Sequence, residues 1–137
     1  MNTIQLKRFA QEARKKLSTL IDGKLEAVLK DDSGSLRAKQ DTIKQLQAEL
    51  EKLGRAALVD KVAYTWFNRL VAIRFMDANG FQPLGVNILS PALGMDGNVP
   101  QILNDIHAGQ FPEDLKVDRQ YINDVLNGIV SSNNPDN

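Results

Sequence analysis

Val62-Ala63-Tyr64-Thr65-Trp66-Phe67-Asn68-Arg69-Leu70-Val71-Ala72-Ile73-Arg74-Phe75-Met76-Asp77 is the stretch that decides the fold. Together with Leu58 and Val59 just before it, its apolar residues fall on most of the circumference of a helix running from about Ala56 to Ala78. A helix that is apolar nearly all round is a buried one. The segment therefore predicts a central core helix. Ala78-Asn79-Gly80 ends it with residues that tolerate the left-handed conformation.

Upstream, Leu6, Phe9, Ala13, Leu17, Leu20, Ile21, Leu25 and Val28 recur at steps of three and four, which predicts a first helix from about Thr3 to Lys30. Asn2 or Thr3 can cap it, and Gly23 is a place where it could kink. Asp31-Asp32-Ser33-Gly34-Ser35 reads as a turn. A second helix, about Leu36 to Leu53, carries the seam Ile43, Leu46, Leu50, Leu53, with Leu36 in the same frame and Gly54 as its C-cap. These two helices form an antiparallel hairpin.

Downstream, Pro83, Gly85, Pro91, Gly94, Gly97 and Pro100 make 81–100 a long irregular loop, with Val86 to Leu89 as a short extended piece. Loops of that length inside a small domain are uncommon and often functional. Two short helices follow: Pro100 to Ala108, stopped by Gly109, and Asp118 to Asn127, capped by Asp118 and stopped by Gly128. The expected architecture is all-α: a helical hairpin (1–54) packed on a core helix (55–80), then a loop and two short helices (81–130). Residues 131–137 hold no apolar side chain and read as a linker or frayed end.

At 137 residues the chain makes about one domain. It has no cysteine, which excludes disulfides, thiolate metal sites and cysteine catalysis, and its single histidine, His107, excludes a multi-histidine zinc site. No apolar run reaches the ~18 residues a membrane span needs. The N-terminus lacks the apolar core of a signal peptide, so the expected compartment is the cytoplasm. Net charge is zero, but residues 1–58 hold 12 basic and 8 acidic side chains, whereas 59–137 hold 5 and 9. A phosphate-binding glycine loop is missing, Gly94-Met95-Asp96-Gly97 reads as a turn, and the carboxylates Glu113 and Asp114 have no further ligand at metal-binding spacing.

Two clusters remain as candidates. Lys7, Arg8, Arg14, Lys15 and Lys16 place positive charge along the first helix, where it could follow a phosphate backbone or face a partner; the plainer reading is a solvated face. Asn68, Arg69, Arg74 and Asp77 form a polar set inside the apolar third helix. Arg74 and Asp77, three apart, can pair directly, and the expectation is that Arg69 and Arg74 fix the 81–100 loop.

The Tyr64-Thr65-Trp66-Phe67-Asn68-Arg69 helix, followed by Asn79-Gly80-Phe81 and Pro83-Leu84-Gly85-Val86, resembles the N-terminal region of the PglX family, adenine-specific DNA methyltransferases of BREX phage-defence systems. The opening, Met1-Asn2-Thr3, Leu6-Lys7 and Phe9-Ala10-Gln11-Glu12-Ala13-Arg14, is similar too. The resemblance covers residues 1 to about 130 and implies a much longer parent using S-adenosylmethionine to methylate adenine N6. The family's glycine-rich donor loop and Asn/Asp-Pro-Pro-Tyr/Phe motif do not occur here; Asn134-Pro135-Asp136-Asn137 lacks the second proline and the aromatic. No catalytic, cofactor or metal residue is therefore carried over. The resemblance implies a non-catalytic N-terminal domain whose partners are the parent's catalytic domain, DNA or other defence proteins. The alternatives are a free-standing helical interaction module and a small DNA-binding module.

Overall fold

The computed structural model describes residues 2–31 and 37–130. Within them the protein is all-helical: α1 (Thr3–Lys30), α2 (Gln40–Leu53), α3 (Arg55–Asn79), α4 (Gln101–His107) and α5 (Arg119–Leu126). The chain divides between Arg69 and Leu70 into two compact units, with α3 contributing to each. The turn 32–35, Leu36 and the tail 131–137 lie outside the described residues.

In the first unit α1 packs against α2. Asn2 is the cap of α1, its Oδ1 accepting the Ile4 N–H at 3.0 Å. The helix then runs through Gly23 unbroken. Leu25, Leu58 and Val59 form the buried cluster, and Ile21, Leu29, Leu46, Leu50 and Val62 pack on it half-buried. The α2 seam thus engages through Leu46 and Leu50, while Leu53 is exposed. Regular α2 begins at Gln40, later than the expected Leu36; Lys39, at its start, offers no capping side chain. Ion pairs brace α3 against both partners: Arg14 to Asp60, Arg55 to Asp22 and Glu26, and Lys61 to Glu49.

Gly23 and Gly54 have opposite roles. A Cβ would meet nothing within 4 Å at either position. Gly54, however, joins α2 to α3 at φ 78°, ψ 156°, a region nearly closed to other residues. Gly54→Ala should destabilise the chain by about 1–2 kcal/mol through backbone strain alone. Gly23→Ala, in mid-helix, should stabilise it by about 0.5–1 kcal/mol. Paired urea titrations check both signs; a stabilising Gly54→Ala would overturn this account of the linker.

The expectation that α3 is buried all round is corrected. Only Leu58, Val59, Ala63 and Asp77 of this helix are buried, while Tyr64, Trp66, Val71 and Phe75 are exposed. In the first unit, α1 and α2 cover only part of its surface, and its apolar circumference exceeds the cover available. Two of the exposed rings are shaded by cations instead: Arg14 lies 5.6 Å from the Tyr64 centroid and Arg69 lies 5.6 Å from that of Trp66.

In the second unit α3 ends in a reciprocal C-terminal motif. The Phe81 N–H donates to Met76 C=O at 2.9 Å and the Gly80 N–H to Asp77 C=O at 3.3 Å. Phe81 then lies against Phe75, ring centroids 6.2 Å apart, the apolar contact that accompanies such a cap. Val86 to Leu89 is not the short extended piece expected; the chain bends at Val86, Ile88 and Leu89. The Asp118 carboxylate caps α5 by accepting the Tyr121 N–H at 3.0 Å. Ile106 on α4 is this unit's one buried apolar side chain among the described residues.

Candidate functional site

The basic set on α1 is not a uniform stripe. Seven-residue spacing aligns Lys7 with Arg14 and Arg8 with Lys15. Arg8 donates through Nε to Glu12 at 2.8 Å. Arg14 is turned inward, its Nη2 3.3 Å from Asp60 Oδ1 and its guanidinium against Tyr64. Its role in this structure is to tie α1 to α3. Lys7, Lys15 and Lys16 remain exposed. The part of the set that can reach an anion is therefore these three lysines.

Arg55 is a residue that helical periodicity does not single out. It is the first residue of α3, and its guanidinium reaches Asp22 at 2.6 Å and Glu26 at 2.7 Å on α1. Those carboxylates, Asp22 first, raise the Arg55 pKa. Lys30 and then Arg55 hold Glu26 below the usual carboxylate range. The signal available in sequence was the i,i+4 spacing of Asp22 and Glu26, which puts two anions on one helix edge. Exposed pairs of this kind contribute little to stability.

The polar set of α3 resolves around Asp77. This buried carboxylate accepts four hydrogen bonds from the following loop. Oδ1 takes the Ile88 N–H at 3.0 Å and Gln82 Nε2; Oδ2 takes the Leu89 N–H at 2.8 Å and the Ser90 hydroxyl at 3.0 Å. Burial pushes its pKa up, but the four donors together outweigh burial and hold it below the ordinary carboxylate value. Gln82 also donates to Ile73 C=O at 3.2 Å. Asn87 and Gln101 extend the clamp, the Asn87 N–H donating to Gln101 Oε1 at 3.0 Å and its Nδ2 to Pro91 C=O at 2.9 Å.

The expected Arg74–Asp77 pair is not formed, and neither arginine fixes the loop. Arg74 and Arg69 are both exposed, Arg69 lying over Trp66. Asp77 instead faces backbone amides that would otherwise lack an acceptor. Asn68 is exposed and stands apart from the network. Of the four polar residues, only Asp77 is bonded to the loop.

His107 sits exposed at the end of α4, its Nδ1 2.8 Å from Leu103 C=O. No group of three or more metal-ligating side chains occurs among the described residues. Nor is any described helix long and apolar enough to cross a membrane.

The chain is 47% identical over 58 residues to the adenine-specific methyltransferase PglX of Lacticaseibacillus casei (strain Zhang), a match spanning 42% of this chain and 4% of that protein. It is 31% identical over 112 residues to the adenine-specific methyltransferase BrxX of Escherichia coli O9:H4 (strain HS), spanning 66% of this chain and 9% of that protein. Its curated homologues are thus adenine-specific methyltransferases of the PglX and BrxX type. The chain spans less than a tenth of the length of either relative. No family model and no solved structure matches it.

Proposed function

We propose that this chain is the non-catalytic N-terminal helical region of an adenine-N6 DNA methyltransferase of a phage-defence system, and that it braces the catalytic region. The 31% identity to BrxX, in a match spanning 66% of this chain, carries the reading. The residues present do not fit an S-adenosylmethionine site: the described part has no strand from which a glycine-rich donor loop could emerge. The cofactor belongs to the remainder of such an enzyme. Two ion-paired helices behind α3 and a loop clamped by a buried carboxylate suit a rigid support.

The test is the mass of the native polypeptide in its source cells, detected with an antibody against this chain. A product several times heavier than 15.2 kDa is expected. A product near 15.2 kDa overturns the proposal and favours a free-standing interaction module.

The exposed Lys7, Lys15 and Lys16 favour a second role in the same enzyme, contact with the DNA backbone. Each phosphate neutralised contributes about −0.9 to the slope of log affinity against log salt, so three lysines give roughly −3. Charge reversal of all three to Glu should abolish duplex binding by the 137-residue chain. Salt-independent binding, or none at low ionic strength, would remove the DNA role.

A further inference from the structure

The second unit does not bury enough apolar surface to account for its own order. Among its described residues one apolar side chain, Ile106, is buried, whereas nine large ones are exposed. Units of ~60 residues are marginal even with a proper core. Four of the exposed side chains stand on well-held backbone. Phe75 and Phe81, 60% and 61% exposed, are paired at the end of α3. Leu93 and Met95, 102% and 63% exposed, sit on a turn closed by the Met95 N–H to Ala92 C=O bond. The base of that turn is fastened on both sides. Asp77 grips 88–90, Asn87 grips Pro91, and the Gln101 N–H donates to Ser90 C=O at 2.8 Å. Held backbone carrying a fully exposed leucine and a largely exposed methionine is the anatomy of an interface anchor, because its ordering cost precedes association.

We infer that Leu93, Met95 and the Phe75–Phe81 pair are the anchors by which this region docks on the remainder of a methyltransferase-length polypeptide, against an apolar surface with a basic rim. This rests on the function proposed above. Three observations select that occupant. More than nine-tenths of each curated relative lies outside the matched segment, so a large partner surface exists in such proteins. Residues 70–130 hold three basic and seven acidic side chains, which repels a nucleic acid and suits a basic rim. Residues 131–137 contain no apolar side chain and cannot provide the cover. A second copy is disfavoured because pairing this face with itself would bring two net-acidic surfaces together.

The absence of cysteine in the chain makes the test direct. Single variants Phe81→Cys, Leu93→Cys and Lys16→Cys are made in the native-length polypeptide and in the 137-residue chain. Alkylation by iodoacetamide is followed by peptide mass spectrometry. Labelling at 81 and 93 should slow at least ~10-fold in the long polypeptide relative to the short chain, with position 16 changed less than ~2-fold, since reactivity follows exposure. Equal labelling in both contexts overturns the docking face while leaving the function proposed above intact. A native product near 15.2 kDa overturns that function and this inference together. Protection that appears only on adding duplex DNA, or that rises with concentration of the short chain, assigns the face to DNA or to a second copy and overturns the inference.

Discussion

Asp77→Ala will loosen the 82–101 loop and cost the second unit about 3 kcal/mol. The alanine leaves four donors, the Ile88 and Leu89 N–H groups, the Ser90 hydroxyl and the Gln82 amide, without the acceptor they share. Each buried donor left unmet costs about 1–3 kcal/mol, and some of these will recover a water as the loop opens. Asp77→Asn should cost nearly as much. Its one carbonyl serves one side of the clamp, while its amide group faces the Leu89 and Ser90 donors or the Ile88 and Gln82 ones. Hydrogen exchange reads the effect where it occurs: amide protection at Ile88 and Leu89 should fall by ~100-fold, the exchange equivalent of about 3 kcal/mol. Unchanged protection there would sink the clamp. Local exchange is the better reading because a chain of two units need not unfold in one step.

The same carboxylate makes this loop acid-sensitive. In the folded protein Asp77 is held below the ordinary value near 4, so the native state binds fewer protons than the unfolded one. Its contribution is fully present above the unfolded value. It declines as pH falls below about 4 and is gone once pH passes below the lowered folded value. The difference in loop protection between the unsubstituted chain and Asp77→Asn should therefore shrink between pH 7 and pH 3. Other carboxylates titrate in both proteins and largely cancel. A difference that stays constant with pH would mean the charge of Asp77 is not what the loop amides recognise.

Asp77 also shows where reading the sequence succeeds and stops. Of the two carboxylates on the apolar third helix, Asp60 and Asp77, Asp77 is the buried one. Its spacing from Arg74 suggested an ion pair, but its partners are two backbone amides, of Ile88 and Leu89, which carry no residue signature, and the Gln82 and Ser90 side chains. The helices themselves were legible. Thr3–Lys30 follows from a stripe at period three and four behind Asn2, and Gly54 is the stop it promised. Arg119–Leu126 follows from Asp118 and Gly128 in the same way. The burial of α3 was not legible. Apolar residues all round a helix say that cover is needed; they do not say that this stretch of chain supplies it. Tyr64, Trp66 and Phe75 keep that need visible. The five candidate cations among the seven of α1 could be placed on the helix from sequence, yet the inward turn of Arg14 depends on Asp60, 46 residues away.

Leu25→Ala should be the most costly single truncation in the first unit, at about 3 kcal/mol. Buried Leu→Ala changes range over roughly 2–5 kcal/mol, with the value set by how far the site can collapse. Here two facts push in opposite directions. The buried cluster is small, only Leu25, Leu58 and Val59, so Leu25 is the one fully committed contact that α1 brings to α3. Beside it, however, lies an apolar cleft of about 170 Å³ between α1, α2 and α3, lined among others by Ile21, Val28, Leu46 and Val62. An open cleft admits water, which limits the penalty of a new void and keeps the cost below the top of the range. The lost transfer energy remains, since three carbons leave an environment only 8% exposed. Leu53→Ala is the control: the residue belongs to the same α2 seam but is 36% exposed, and should cost less than ~1 kcal/mol. Urea midpoints of the two variants, at unchanged slope, measure the contrast. If Leu53→Ala proved as costly as Leu25→Ala, the packing of α1 on α2 would run through the end of the seam rather than through Leu46 and Leu50.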